Sequence, residues 1–287
     1  MGLYKKYQGS QHYKKYIRNA CLTVVLILLS IVVLFPIYYM IVSSFAPAVE
    51  GGGGSYSLIP KHFTWASYKF FFNFSKYSVR WLLNSLIVAG VCTITNVLFA
   101  SLAGYAFAKI RFKGSNFLFY LLLIGMMIPT QVTQVPLYML LINKMRAGDT
   151  YFSLVAPGAV TCYNIFMSKQ FFTSIPTPII ESAKIEGCNQ AQIFRMIVAP
   201  MSKAILAVIA IMTFMQNWNT FFWPFLVSNK EAMQTIQVGL KNFSYANTTY
   251  FAPMMAGATV SALPVIVLFF SMQKYFLEGV AVGAVKG

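Results

Sequence analysis

With 287 residues, of which 58% are hydrophobic and only 10% charged, the chain lies outside the composition of soluble globular proteins and is predicted to lie in a lipid bilayer. Its 22 Lys and Arg residues against 6 Asp and Glu residues give a formal net charge of +16 at pH 7. These cations are spread over short segments instead of one folded face, which argues against a nucleic-acid partner and favours anionic membrane lipid.

The first predicted element is a basic N-terminal segment, residues 1–19. A Tyr-Lys-Lys-Tyr unit occurs twice in it, at residues 4–7 and 13–16. Aromatic residues beside basic ones are typical of anchoring at a membrane interface. The segment is therefore predicted to lie at the membrane surface, ahead of the first spanning helix.

Six uncharged runs follow along the chain, and crossing the hydrocarbon core of a bilayer takes roughly 20 apolar residues. Because backbone polar groups must all be hydrogen bonded in lipid, each run is predicted to form a spanning helix. The predicted architecture is an all-α membrane protein with one six-helix domain, residues 20–276, and no soluble domain. The runs are residues 19–49, 81–108, 114–143, 150–168, 204–229 and 242–273.

The distribution of Lys and Arg predicts the orientation of these spans. Six crossings put both termini on one side, and the segments predicted on that side hold 14 of the 22 basic residues. Since Lys and Arg are enriched in cytoplasmic loops, both termini are predicted to be cytoplasmic. The segments concerned are residues 1–19, 109–115, 169–203 and 274–287.

A charged segment, about residues 177–200, separates the fourth and fifth runs and is predicted to form a helical hairpin on the cytoplasmic membrane surface. Thr177 is predicted to cap its first helix, with Pro178 at the first helical position and Gly187 as the left-handed stop. Asn189 and Gln192 are predicted to open the second helix with a capping box. The apolar side of the second helix is predicted to carry Ile193, Phe194, Ile197 and Met201.

The interior of the predicted spans carries neutral polar groups in place of charges. Amides and hydroxyls beside aromatic rings suit a neutral polyhydroxylated solute such as a sugar, because they both donate and accept hydrogen bonds. The same groups would equally serve hydrogen bonding between helices. The predicted translocation-path residues are Gln131, Gln134, Asn164, Asn217, Trp218 and Thr220.

The sequence carries no recognisable catalytic chemistry. Neither a Gly-x-x-x-x-Gly-Lys phosphate loop nor a His-Glu-x-x-His pair occurs. No Asp, Glu, Lys, Arg or His lies at the centre of a predicted span, where ion-driven carriers usually keep such groups. We therefore expect a subunit with no catalytic site, no metal and no bound cofactor, driven by a partner that hydrolyses nucleotide.

The hairpin resembles the signature of permease subunits of binding-protein-dependent ABC importers, which reads Glu-Ala-Ala, three residues, Gly, nine residues, Ile-x-Leu-Pro. Here it stands as Glu181-Ser182-Ala183, then Gly187, then Ile197-Val198-Ala199-Pro200. Every spacing is kept. Ser182 for Ala and Ala199 for Leu are the two departures, and both are mild.

The likeness extends over nearly the whole chain from the first span. It is closest to the carbohydrate-uptake branch and, within it, to the shorter, maltose-permease-G-like subunit. The stretches that carry the likeness are residues 84–88, 105–108, 111–114, 128–129, 214–219 and 273–287.

The resemblance implies the type I permease fold of ABC importers, in the bacterial plasma membrane. It implies three kinds of partner: a second homologous permease, two cytoplasmic ATPase subunits that bind ATP and Mg, and an extracytoplasmic solute-binding protein. It also implies that the hairpin is the coupling helix that docks the ATPase. The coupling residues would be Glu181, Ser182, Ala183, Gly187 and Pro200, and the cytoplasmic tail, residues 277–287, would add Glu278, Gly279, Gly283 and Lys286.

The expected function is therefore import of a carbohydrate, an oligosaccharide, by alternating access. An importer of another small solute stays open, because importers of amino acids, peptides and ions share the hairpin motif. An ion-driven secondary carrier would also have proline-broken helices. It would not explain the charged hairpin or the lack of charges within the predicted spans.

Overall fold

A computed structural model describes residues 2–48, 58, 62–245 and 248–284 of the chain, with residues 2–15, 17, 245, 248–249 and 275–284 described by their backbone alone. The regular secondary structure of the described residues is helical apart from two short strands, β1 (Ser244–Tyr245) and β2 (Thr248–Thr249). It divides into two compact units. The first is Met1–Phe71 with Ala246–Val260, and the second is Phe72–Tyr245 with Ser261–Gly287.

The helices vary widely in length, and several are extended by short π or 3-10 segments. In chain order they are α1 (Gly2–Ser44), α2 (Ala66–Phe74), α3 (Ser78–Thr95), α4 (Ser101–Lys109), α5 (Ser115–Met127), α6 (Thr130–Tyr138), α7 (Tyr151–Val155), α8 (Cys162–Thr173), α9 (Thr177–Ile185), α10 (Gln190–Ile193), α11 (Ala199–Met201), α12 (Lys203–Asn219), α13 (Phe222–Val227), α14 (Ile236–Lys241) and α15 (Phe251–Ala284). The π segments are Asn96–Ala100, Met139–Lys144 and Phe194–Val198, and the 3-10 segments are Ala156–Gly158 and Glu231–Met233.

Three helices in the described ranges are long and apolar enough to cross a membrane, namely Arg18–Ser44, Ser78–Lys109 and Phe251–Lys274. Two bent pairs of helices could each supply one more crossing, α5 with the segment Thr130–Lys144 and the segment Gln190–Met201 with α12. The all-α class is confirmed. The count of six spans stays a prediction, because the fourth predicted run is divided into α7, a 3-10 turn and α8.

The predicted span over residues 114–143 is broken at Pro129. Proline has no N–H to continue a helix, and the residue before it is disfavoured in the α region. Ile128 has a ψ of 119° and Pro129 a ψ of 133°, so both are extended. The two helices on either side consequently meet at 95°.

Aromatic packing holds the end of α1 in the first unit. The Phe45 ring centroid lies 5.1 Å from those of Phe63 and Trp65 and 5.3 Å from that of Tyr68. The Tyr68 hydroxyl lies 2.7 Å from Ser44 Oγ, which makes a hydrogen bond between them. The apolar stretch that precedes this cluster is open, since the most apolar window of Arg18–Ser44 has no buried residue.

One helical run, Ser78–Lys109, forms the centre of the second unit. It joins α3, the π segment Asn96–Ala100 and α4, with α12 packed on α3 and α8 packed on α4. The α4 and α8 backbones come close at Gly104. A Cβ atom built on this glycine would lie 2.8 Å from the backbone nitrogen of Lys169, so only glycine fits there.

A buried asparagine ties this helical run to its neighbours. Asn96 Nδ2 donates to the carbonyl oxygens of Gly158 at 2.7 Å and Ala159 at 3.0 Å. Its Oδ1 accepts from the Thr161 N–H at 3.0 Å and from Asn164 Nδ2 at 2.8 Å. A buried amide is stable only when its donors and acceptors are paired, and Asn96 uses both.

The N-terminal end of the run Ser78–Lys109 holds the segment between α13 and α14. Asn84 Nδ2 donates to the carbonyl oxygens of Ala232 at 3.0 Å and Gln234 at 2.8 Å. Trp81 Nε1 donates to the carbonyl oxygen of Glu231 at 3.1 Å. Three side-chain hydrogen bonds to backbone carbonyls within residues 231–234, with both side chains fully buried, fasten this segment to α3.

Candidate functional site

The segment predicted as a hairpin consists of two helical pieces joined by a tight turn. The first piece is α9, and the second runs through α10, the π segment Phe194–Val198 and α11. Gly187 stands in the turn with a φ of +86°, the left-handed conformation that favours glycine. The predicted hairpin and its glycine stop are therefore confirmed.

The end of α9 is closed by two backbone hydrogen bonds. The Cys188 N–H donates to the carbonyl oxygen of Ala183, and the Gly187 N–H to that of Lys184, each at 3.0 Å. This pair of bonds is the Schellman pattern of a helix C-terminus, with its left-handed residue at Gly187. The turn is thus fixed by backbone geometry as well as by packing.

The start of the second piece has the predicted capping box. Asn189 Oδ1 accepts from the Gln192 N–H at 2.9 Å, and Gln192 Oε1 accepts from the Asn189 N–H at 2.8 Å. The predicted cap at Thr177 is wrong. Helix α9 begins at Thr177 itself, after Pro176, and has no side-chain capping hydrogen bond. Pro176 therefore stands at the cap position, and its side chain has no hydrogen-bond acceptor.

The inner face of the hairpin belongs to one apolar cluster, here called the hairpin cluster. It also takes in residues of α4 and α8 and of the connection before α9. Its buried members are Tyr105, Phe172, Ile175, Ile180, Ala183, Ile193 and Val198.

The apolar side of the second piece differs from the prediction at its end. Phe194 and Ile197 pack against the hairpin cluster, but Met201 is 49% exposed and Val198 is fully buried in its place. The π segment explains the exchange, because i→i+5 bonding adds a residue to the turn and shifts the following residues around the axis.

The outer face carries most of the residues expected to dock the ATPase. Glu181, Ser182, Gly187 and Pro200 are exposed, whereas Ala183 is buried in the hairpin cluster. The side chain of Ala183 therefore packs the hairpin from within. The Ser182 hydroxyl donates to the carbonyl oxygen of Pro178 at 2.9 Å. The charged side chains of this face of α9 are Glu181 and Lys184.

Glu181 also lines a cavity of about 440 Å³ between the hairpin and the end of α4. Three cations share the lining, Lys109, Arg111 and Lys184. The cavity is therefore basic, with one carboxylate at its edge. In the described part of the chain, no group of three or more His, Cys, Asp or Glu side chains could hold a metal ion.

Two of the predicted path residues are buried and bonded inside the second unit. Asn164 Nδ2 donates to Thr213 Oγ1 at 2.9 Å as well as to Asn96, and Trp218 Nε1 donates to the carbonyl oxygen of Ser261 at 3.1 Å. Their polar groups are thus used between helices. This favours the packing role that the sequence left open for them.

The other four path residues are at least partly accessible. Gln131 is exposed and Gln134 half-buried on α6, and Asn217 and Thr220 are half-buried at the end of α12. Asn217 Nδ2 donates to the carbonyl oxygen of Thr213 at 2.9 Å, and Thr220 Oγ1 to that of Gln216 at 2.7 Å. Their role in a path stays a prediction.

The predicted tail contacts fall at or beyond the limits of the description. Glu278, Gly279 and Gly283 lie in the helical backbone of α15, with side chains that are not described, and Lys286 lies outside the described residues. Their contact with an ATPase stays a prediction. No spacing pattern in the sequence links Tyr105 or Lys109 to the hairpin, although Tyr105 bonds Gln190 within it and Lys109 bonds the carbonyl oxygen of Ile175 just before it.

The comparison with protein families covers most of the chain. Residues 96–282 match the binding-protein-dependent transport system inner membrane component family, a range that includes the whole hairpin. The chain belongs to this family. The recognition made from the hairpin signature is confirmed, and the protein is the inner membrane component of a transport system that depends on a binding protein.

Relatives of this inner membrane component match it over most of their length. The arabinooligosaccharides transport system permease protein AraQ of Bacillus subtilis strain 168 is 32% identical, over 93% of this chain and 95% of its own. The sn-glycerol-3-phosphate transport system permease protein UgpE of Brucella abortus strain 2308 is 29% identical, over 89% and 93%.

A solved structure shares the fold of this inner membrane component. The crystal structure of a bacterial ABC transporter involved in the import of the acidic polysaccharide alginate contains a chain that matches with a TM-score of 0.79 at 21% identity. The match covers 91% of this chain and 96% of that one. The permease fold of an ABC importer is therefore present here.

Proposed function

We propose that this chain is the permease subunit of an ATP-driven importer that moves a carbohydrate, an oligosaccharide, into the cytoplasm by alternating access. Family membership gives the transport role. The carbohydrate is supported by relatives named for such solutes, among them AraQ for arabinooligosaccharides and the lactose transport system permease protein LacG of Rhizobium radiobacter, which is 30% identical over 71% of this chain and 74% of its own. Accessible neutral groups on α6 and α12 suit such a solute.

The observation that best supports the proposed coupling role is that the hairpin has one buried face and one exposed face. Its inner face is buried against α4 and α8, while Glu181 and Ser182 face outward. A partner that engages Glu181 would push on an element already packed against the membrane helices. In the proposed mechanism, closure of the ATPase moves the hairpin, and the hairpin moves those helices.

The proposed topology has six spans with both termini in the cytoplasm. Lys109 and Arg111 line the same cavity as Glu181 and Lys184, so the end of α4 and the hairpin lie together. The chain between them must leave this side and return to it, which takes an even number of crossings. This supports a third span built from α5 and α6 and a fourth built from α7 and α8.

The proposed partners are a second homologous permease, two ATPase subunits that bind ATP and Mg, and an extracytoplasmic solute-binding protein. The open apolar surface of α1 suits lipid or a second permease within the bilayer. The chain itself is proposed to supply no catalytic group. The energy of ATP hydrolysis would enter through the hairpin.

Charge reversal on the outer face of the hairpin tests the coupling role. In the reconstituted complex, Glu181→Lys should abolish the ATP hydrolysis that substrate stimulates while the subunits still copurify, because the docking contact loses its carboxylate. Glu186→Lys is the matched control, since Glu186 is exposed in the turn of the same hairpin. Full stimulation of ATP hydrolysis in the Glu181→Lys complex would contradict the proposed role of Glu181 in coupling.

A solute panel tests the substrate. Uptake into proteoliposomes that contain the complete complex and its binding protein should be highest for oligosaccharides. Because UgpE is named for sn-glycerol 3-phosphate, that solute belongs in the panel beside amino acids and peptides. Preferred uptake of any of these would replace carbohydrate with that class and leave the importer role standing.

A further inference from the structure

Two polar side chains of α4, one helical turn apart, bond the start of α10 within the hairpin and the connection that leads into α9. The Tyr105 hydroxyl donates to Gln190 Oε1 at 2.8 Å, at the start of α10. Lys109 Nζ donates to the carbonyl oxygen of Ile175 at 2.6 Å and to that of Thr173 at 3.3 Å, just before α9 begins. Residues four apart lie on one helix face, so a single face of α4 holds both.

The lysine contact has a clear physical basis. The last carbonyls of a helix have no partner within it and carry partial negative charge, and α8 ends at Thr173. An ammonium group offers three N–H donors and complements that charge. By holding the carbonyls on both sides of the connection, Lys109 sets the direction in which α9 leaves α8.

The tyrosine contact secures the second half of the hairpin. Tyr105 is only 3% exposed, as its ring packs in the hairpin cluster, 5.5 Å between centroids from Phe194. Its hydroxyl reaches out of the cluster to the first residue of α10. The ring packs in the hairpin cluster, and the hydroxyl orients the start of α10 through its hydrogen bond. A phenylalanine would keep the packing and lose the hydrogen bond.

Helix α4 is itself locked to α8 at the same level. A Cβ atom on Gly104 would lie 2.4 Å from Ser168 Cβ, so the two helices are in backbone contact. Small residues that allow such an approach strengthen helix packing in membranes. The hairpin is therefore attached to a pair of helices that cannot slide apart without losing that packing.

We propose that Tyr105 and Lys109 are positioning residues that clamp the hairpin to α4, so that the hairpin and the helix Ser78–Lys109 move as one body. The inference rests on the proposed coupling function of the hairpin. The helix is about 48 Å long for a rise of about 1.5 Å per residue, and Asn84 near its far end holds the backbone of Ala232 and Gln234. Displacement of the hairpin thus reaches the segment between α13 and α14 directly.

A pair of spin labels tests whether the two ends move together. The labels are placed at Glu186 in the hairpin and Lys230 before the held segment, both exposed, in a complete complex whose permease chain has its four cysteines replaced by alanine. Distances are measured in lipid nanodiscs before and after ATP, Mg²⁺ and vanadate are added. With the clamp intact, the distance should not change.

The clamp variants should lose this constancy. The double variant of Lys109→Met with Tyr105→Phe should give a distance that shifts on nucleotide trapping. Lys109→Arg should keep the distance constant, because arginine keeps the donors and the charge. Lys113→Met, which changes an exposed lysine in the loop after α4, should behave as the parent. Tyr105→Phe alone, which removes one oxygen, keeps the test open if the double variant does not assemble.

Two results would overturn the clamp. One is a distance shift on trapping in the parent complex, and the other is an unchanged distance in the assembled clamp variants. The proposed function is tested separately in the same samples by the nucleotide that the copurified ATPase retains. A complex without trapped nucleotide would contradict the coupling role of the hairpin, whereas trapping with either of the two results above would contradict the clamp alone.

Discussion

A Cβ atom added to Gly104 would lie 2.4 Å from the Cβ atom of Ser168. Helices α4 and α8 consequently touch through their backbones, next to the hairpin cluster. This contact fixes the base on which the hairpin stands. It also leaves no room for a side chain at Gly104.

Gly104→Ala should lower the stability of the protein. The added methyl group must displace the α8 backbone, at a cost of about 1–3 kcal/mol for an overpacked contact. The thermal unfolding midpoint of the purified complex should fall. Gly90→Ala is the control, because a Cβ on Gly90 meets no atom within 4 Å, and equal midpoints for the two variants would contradict the close approach.

Gly187→Ala should strongly impair the coupling of the hairpin to the ATPase and affect the stability of the protein less. The φ of +86° costs an L-residue roughly 1–2 kcal/mol, and relief of that strain would open the turn between the halves of the hairpin. ATP hydrolysis stimulated by substrate should fall, and Gly187→Asn should fall less because asparagine tolerates this conformation. Gly114→Ala is the matched control, with similar strain at φ +83° outside the hairpin, so equal loss of coupling there would contradict the prediction.

Asn96→Ala should destabilise the second unit strongly. It leaves the carbonyl oxygens of Gly158 and Ala159 without their donor, and each buried polar group without a partner costs about 1–3 kcal/mol. The yield of assembled complex and its unfolding midpoint should both drop. Asn116→Ala changes an exposed asparagine and should leave both unchanged, and a matching drop there would point to a general effect of asparagine loss.

Substitutions by leucine should separate path residues from packing residues. Thr220→Leu and Asn217→Leu should lower solute uptake without changing the amount of assembled complex, because both side chains are partly accessible. Asn164→Leu should instead reduce assembly, since its amide bonds Asn96 and Thr213. Unchanged uptake in the first two variants would assign Thr220 and Asn217 to helix packing instead of the path.

The local features of the hairpin could be predicted from the sequence because each depends on a few neighbouring residues. A glycine after a helical run gives a left-handed stop, and Asn189 three residues before Gln192 gives a capping box. The same reasoning failed at Thr177, because the helix begins one residue earlier than predicted and Pro176 stands at the cap position. It also failed at Met201, where a π segment changed the residue that turns inward.

Contacts between distant segments could not be predicted in this way. Lys109 was counted only as a basic loop residue, yet it bonds carbonyls more than sixty residues away. Asn164 met the requirements of a sugar-binding residue and of a helix-packing residue equally well. Its burial and its two hydrogen bonds favour the second.

By itself, the sequence determined the membrane class of the protein, its family and the turn chemistry of its hairpin, because composition, motif spacing and backbone conformation are local properties. Only the tertiary structure decided which face of the hairpin is buried, where the predicted spans break and which helix holds the hairpin in place. Those features depend on which side chains and backbone carbonyls meet after the chain has folded. At Gly104 and Ser168, helices α4 and α8 lie so close together that a single added methyl group has no room.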